Sequence, residues 1–155
     1  MADLYSSMTE LEKNTTEGVD WVIETREYPD VDSLVSSIHG GSIEIGTTEL
    51  ATLTSEKGGY NLFAFKGMRS SNNSELHVTS THYDEPTMLR MVSNAHRHVA
   101  VHGASGTEPK IYVGGLDIAL RNAIWEELVK KGLPAVIAPS NIIGEEPDNI
   151  SNRTI

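Results

Sequence analysis

Ser37-Ile38-His39-Gly40-Gly41-Ser42-Ile43-Glu44-Ile45-Gly46-Thr47 sets a histidine and a carboxylate near each other among glycines. Neutral imidazole and carboxylate are ordinary zinc ligands, and a catalytic zinc site needs three protein ligands with a further position open to water or substrate. His39 and Glu44 would supply two of the three. The opposing reading is a strand and a glycine turn, with His39 hydrogen-bonded and Glu44 solvated, because histidine-glycine pairs are common in turns. Spacing alone does not separate the two.

The flanks of this stretch decide the fold class. Ser33 to Ile38 reads as a short buried strand that delivers His39 at its carboxyl end, and Gly40-Gly41 permits a tight exit. Thr47 or Thr48 is placed to cap a helix through Glu49 to Leu53, stopped by Gly58-Gly59. Strand, turn and helix in that order predict an α/β fold. Further out, Tyr60 to Phe65 and Ser74 to Thr81 alternate as strands, with Leu76 and Val78 on one side and His77 among the polar residues on the other. Asp84 is expected to cap a helix with Pro86 in its first turn and an apolar stripe from Met88 to Val92.

A strand from Arg97 to Val101 ends at His102-Gly103, repeating the strand, histidine, glycine order of His39. Ligand sites of open α/β sheets collect at the carboxyl ends of strands, which makes His102 the candidate third ligand. His96 and His98 read as a surface or helix-end pair, and His77 and His82 as hydrogen-bonded polar positions. Ile111 to Val113 is a short strand, Asp117 opens a helix with a broad apolar face from Ile118 to Val129, and Pro134 to Ala138 is one more strand. Upstream, Val19 to Tyr28 alternates as a strand, and residues 1–18 form a separate N-terminal segment with room for a short helix around Met8 and Leu11. Residues 19–155 then form one domain.

The chain has no cysteine, so thiolate zinc fingers and disulfides are excluded and a transition metal must be held by histidine and carboxylate. A net charge of −10 argues against general nucleic-acid binding. No apolar run is long enough to cross a bilayer, and the start Met-Ala-Asp-Leu-Tyr lacks the basic and apolar regions of a secretory signal. Synthesis in the cytoplasm is expected, with release on cell lysis. Glu49, Glu75, Asp84, Glu85 and Asp117 are available as a general base for amide hydrolysis, and none has marking spacing.

Five stretches carry a resemblance: Ile38 to Ala51, Ser74 to Thr81 with Tyr83-Asp84-Glu85-Pro86, Val101-His102-Gly103, Val113 to Asp117, and Asn149-Ile150-Ser151-Asn152-Arg153. In this order they resemble the phage and prophage poly-γ-glutamate hydrolase family. The resemblance implies a zinc carboxypeptidase-like, single-domain α/β fold with a mixed sheet and flanking helices. It implies one zinc ion held by His39, Glu44 and His102, with bound water attacking the carbonyl of a γ-glutamyl amide in the capsule polymer. It also places Asn152 and Arg153 where related carboxypeptidases hold a substrate carboxylate. Relatives continue past the Asn-Arg pair through a strand carrying the general-base glutamate, so that base is expected beyond Ile155, and an uncovered sheet edge would invite self-association. The alternative is a non-catalytic zinc-binding module that binds the polyanion or a partner chain. A cationic cleft for the polymer is expected from Lys66, Arg69, Lys110 and Arg153.

Overall fold

The strand β2 (Ser33–Gly41) is buried along nearly its whole length, as a strand covered on both faces must be. It lies parallel to β3 (Asn61–Gly67) on one side and to β4 (Arg97–Ala100) on the other. The strand β1 (Trp21–Arg26) runs antiparallel to β3 and completes a mixed sheet of order β1-β3-β2-β4. Parallel neighbours require crossovers. Here α2 (Thr47–Gly58) links β2 to β3, and α3 (Pro86–Ser93) lies between β3 and β4. A second, two-stranded parallel sheet pairs β5 (Ile111–Val113) with β6 (Ala135–Ile137), joined through α4 (Ile118–Lys130). This computed structural model describes residues 2–155, and Met1, the first residue of the expected 1–18 segment, lies outside the described residues.

The main core gathers Trp21, Leu34, Ile38, Phe63, Phe65, Val78, Tyr83 and Met88 around one face of the larger sheet. The short helix α1 (Met8–Asn14) adds Met8 and Leu11, both fully buried. Burying such side chains stabilises by about 1.5–3 kcal/mol each, so this helix is anchored by its apolar pair. Asp84 reinforces the anchor by accepting from the Thr9 amide at 2.9 Å and its hydroxyl at 2.6 Å.

Four local expectations change. Asp84 does not cap α3; Glu85 does, accepting from the amides of Thr87 and Met88 at 3.0 and 2.6 Å, because Asp84 is already bound to Thr9. The Ser74 to Thr81 stretch is not a strand but two 3-10 turns, Asn73–Leu76 and Ser80–His82. Leu76 and Val78 are still buried, yet local amide bonds such as His77 N–H to the Ser74 carbonyl replace a strand partner. Thr47 and Thr48 do not cap α2; Gly46 occupies that position at φ 91, and both hydroxyls bond into the preceding loop. The helix α4 does not bury its apolar stripe, since none of its residues is fully buried and Ile118 is 58% exposed.

Candidate metal centre

The centre forms where β2 ends. Its pairing with β3 shifts register between Ser37 and Gly40, so His39 sits in an irregularity that turns its ring into the protein. A Cβ on Gly40 would collide with the Thr48 hydroxyl and come within 2.8 Å of the Phe65 carbonyl, which explains the glycine directly after the histidine. The loop then curls back: the Glu44 amide donates to the His39 carbonyl at 2.9 Å, and the Thr47 hydroxyl donates to the Glu44 carbonyl at 2.8 Å. The Thr48 hydroxyl accepts from the Gly41 amide at 2.8 Å. These bonds hold Glu44 over His39.

His39 is 2% exposed, and its Nε2 lies 2.7 Å from the Val78 carbonyl oxygen. A carbonyl can only accept, so Nε2 carries the proton and Nδ1 presents a lone pair. That Nδ1 has no hydrogen-bond partner and faces Glu44 Oε1 at 3.3 Å. Burial holds the imidazole below its ordinary titration range, against the opposing pull of Glu44. Burial alone would raise the Glu44 carboxyl, but contacts from His102 and His39 and the Gly103 amide outweigh it and hold it well below the ordinary carboxylate range. In the neutral ring, Nδ1 and the Glu44 carboxylate are then two electron-pair donors facing each other at 3.3 Å. The donor set of imidazole and carboxylate fits a zinc-like cation at that gap.

His102 stands at the other side of Glu44, with Nδ1 3.7 Å from Oε2, while the Gly103 amide donates to the same oxygen at 2.8 Å. The ring centroids of His39 and His102 are 5.2 Å apart. The fold therefore sets His102 beside Glu44 at the ends of two neighbouring parallel strands, yet leaves it outside the group whose donor atoms lie mutually within 4.8 Å. It adds His77: donor atoms of His39, Glu44 and His77 all lie within 4.8 Å of one another. The His77 ring stacks on that of His39 at 3.9 Å, and its Nδ1 bonds Asp3 at 2.7 Å. Periodicity put His77 on an ordinary strand face; the one signal that could have singled it out is its place inside the Ser74 to Thr81 motif. Asp3 has no local signal, since it arrives from the far end of the chain.

Other expected positions fall elsewhere. His98 is not at the surface; it is buried in β4, with Nε2 2.7 Å from the Ser36 hydroxyl. Asn152 donates to the carbonyls of Gly144 and Glu146, accepts from the Leu116 amide, and lines a cavity of about 80 Å³ with His98, Leu116 and Leu120. Arg153 directs Nε and Nη2 to the Asp148 carbonyl at 3.0 and 2.7 Å. The expected cationic cleft is largely neutralised. Lys66 pairs with Glu24 at 2.8 Å, and Arg69 pairs with Asp20 at 2.6 Å and Glu75 at 3.0 Å. Glu85 and Asp117 are occupied as helix caps.

Fold and site together define a mixed α/β domain with a histidine and glutamate cluster able to hold a metal ion at the carboxyl ends of parallel strands. The chain belongs to the poly-gamma-glutamate hydrolase family, whose model matches residues 5–155. Its backbone superposes on the solved structure of a bacteriophage poly-gamma-glutamate hydrolase with a TM-score of 0.94 and 40% identity, over 99% of this chain and 74% of that one. It likewise superposes on a zinc-free apo form of YndL with a TM-score of 0.91 and 37% identity, over 99% of this chain and 75% of that one. Among curated proteins of Bacillus subtilis (strain 168), the UPF0714 protein YndL is 38% identical over 98% of this chain and 60% of its own length. The SPbeta prophage-derived UPF0714 protein YoqZ is 35% identical over 98% of this chain and 55% of its own length. The chain thus spans less than two thirds of the length of these curated relatives.

Proposed function

We propose that this chain is a zinc-dependent hydrolase that cleaves γ-glutamyl amide bonds of poly-γ-glutamate, with one ion held by His39, Glu44 and His102. Family membership and the likeness to a bacteriophage poly-gamma-glutamate hydrolase support the substrate class. The observation that carries the metal assignment is the buried, partnerless His39 Nδ1 facing the Glu44 carboxylate at 3.3 Å. A zinc-free form of YndL, a relative of the same fold, is in keeping with that metal. When bound, zinc supplies a Lewis acid for the amide carbonyl and lowers the pKa of a water to near neutrality. The chain's own residues keep the site ordered. The Val78 carbonyl fixes the His39 tautomer, and the Gly103 amide and the Thr47 hydroxyl hold the Glu44 side chain and backbone. In this reading Arg153, with Nη1 outside its bonds to Asp148, is the residue for a glutamate carboxylate, and Asn152 braces the loop beside it.

A second reading is a zinc-binding module that holds the polyanion without cutting it. It is favoured by the fact that Glu75, Asp84, Glu85 and Asp117, four of the five carboxylates weighed as a general base, are engaged with Arg69, Thr9 and the amides of two helix ends. Incubation with the polymer separates the two. Shortening that a chelator blocks is expected of the enzyme, and binding without shortening would establish the module. Purified protein should carry zinc near one equivalent and His39→Ala none; a zinc-free wild-type preparation at neutral pH would refute the metal site in both readings.

A further inference from the structure

His77 is a second histidine at the centre with one ring nitrogen held by the protein. Asp3 holds Nδ1 through Oδ1 at 2.7 Å, while Asp3 Oδ2 accepts the Thr79 amide at 2.6 Å. The carboxylate is therefore locked between a backbone amide and the imidazole, and hydrogen bonding to His77 and Thr79 keeps it ionised in spite of its burial. An ionised carboxylate accepts only, so Nδ1 carries the proton of the neutral ring and Nε2 is left as a lone pair. A ring nitrogen of His77 lies within 4.8 Å of donor atoms of both His39 and Glu44, and its side chain is 35% exposed. The ring thus borders the centre and is open to a ligand.

Its geometry relative to His39 differs from that of a fellow ligand. With Zn–N distances of about 2.0 Å and near-tetrahedral angles, two in-line imidazoles on one ion place their ring centroids roughly 5 Å apart. The His39 and His102 centroids are 5.2 Å apart, whereas His77 lies face to face with His39 at 3.9 Å and an interplanar angle of 29°. We propose that His77, oriented by Asp3, forms the wall of the metal centre and accepts a hydrogen bond from an N–H or O–H of the ligand bound there. This rests on the metal-site reading above and adds a residue to it. The ligand class is one that offers such a hydrogen beside its metal-binding oxygen, as an amide or a hydroxamate does.

The test uses the cobalt-substituted full chain, with acetohydroxamic acid as probe and visible absorption as readout. In His77→Phe the flat ring and its stack remain while the acceptor is lost. In Asp3→Asn the Thr79 amide retains an oxygen acceptor, which turns the new NH2 toward His77; Nδ1 then accepts, Nε2 becomes a donor, and the acceptor is lost with His77 still in place. Both variants should bind cobalt as the wild type does, by chelator competition, and bind acetohydroxamate about fivefold to tenfold more weakly, the loss of roughly one hydrogen bond. Should His77→Phe fail to fold, Asp3→Asn decides alone. Wild-type affinity for acetohydroxamate in the variants overturns the proposal, as does loss of cobalt from His77→Phe, which would make His77 a ligand. Wild-type protein that binds no cobalt overturns the metal-site reading itself; unchanged probe affinity on a cobalt-loaded wild type and variant overturns the wall residue only.

Discussion

Gly40→Ala is the substitution that most directly probes how β2 is joined to the metal loop. A Cβ at this position would overlap the Thr48 hydroxyl and stand 2.7 Å from the Ser37 hydroxyl and 2.8 Å from the Phe65 carbonyl. Phe65 belongs to β3, a core strand, and Ser37 is itself fully buried, so relief must come from Thr48 and the loop it holds. Overpacking of this kind costs about 1–3 kcal/mol. At the size of this chain each kcal/mol moves the melting temperature by about 2–4 °C, so a fall of roughly 2–12 °C is expected. Thermal unfolding reads that fall, and urea unfolding with unchanged slope reads the loss of free energy. Gly46→Ala is the control: nothing lies within 4 Å of its added Cβ, but φ is +91, so only the left-handed backbone conformation is penalised, by about 1–2 kcal/mol. Because Thr48 also binds the Gly41 amide, Gly40→Ala should weaken zinc binding as well, whereas Gly46→Ala leaves that contact intact. A Gly40→Ala protein with the wild-type midpoint and zinc affinity would refute the close-approach argument.

Two further outcomes follow from buried polar groups. Burial pushes His98 down to about 4, while the unfolded chain titrates near the ordinary value of 6.5. The unfolded state therefore binds the proton more readily between these values; the stability is fully present above 6.5 and is lost as pH falls toward 4, by about 3 kcal/mol in total. His98→Gln should flatten that part of the slope in urea unfolding at pH 7, 5.5 and 4, and a slope equal to the wild type's would contradict it. Glu85→Ala removes the acceptor for the Thr87 and Met88 amides at the start of α3 and should destabilise by about 1–2 kcal/mol. Glu85→Gln keeps an amide oxygen and should lose less; equal losses in the two variants would argue against capping.

Local pattern made much of this protein readable. β2, β3 and α4 lie close to where alternation, glycines and the Asp117 cap put them, because burial periodicity and turn chemistry act over a few residues. That His39 and His102 share one edge of the sheet was legible for a different reason: both lie at the carboxyl end of a strand and precede a glycine, and parallel neighbours deliver their carboxyl ends to the same edge. The apolar face expected of α4 misled, since a stripe states what could be buried and not whether a second surface covers it.

What the order of residues carried was the identity of most strands and the placing of His39 and His102 near strand ends, with Glu44 in the loop after β2, each set by interactions among near neighbours. Three features came from the folded arrangement alone. The tautomer of His39 depends on the Val78 carbonyl, which the stretch between two 3-10 turns brings against it in place of the expected strand. The burial of His98 depends on the Ser36 hydroxyl of an adjoining strand. The place of His77 at the centre depends on Asp3, which is 74 residues away in the chain and within 2.7 Å in space. No propensity or spacing rule spans such a separation, because hydrogen bonds between distant segments exist only once the core has brought them together.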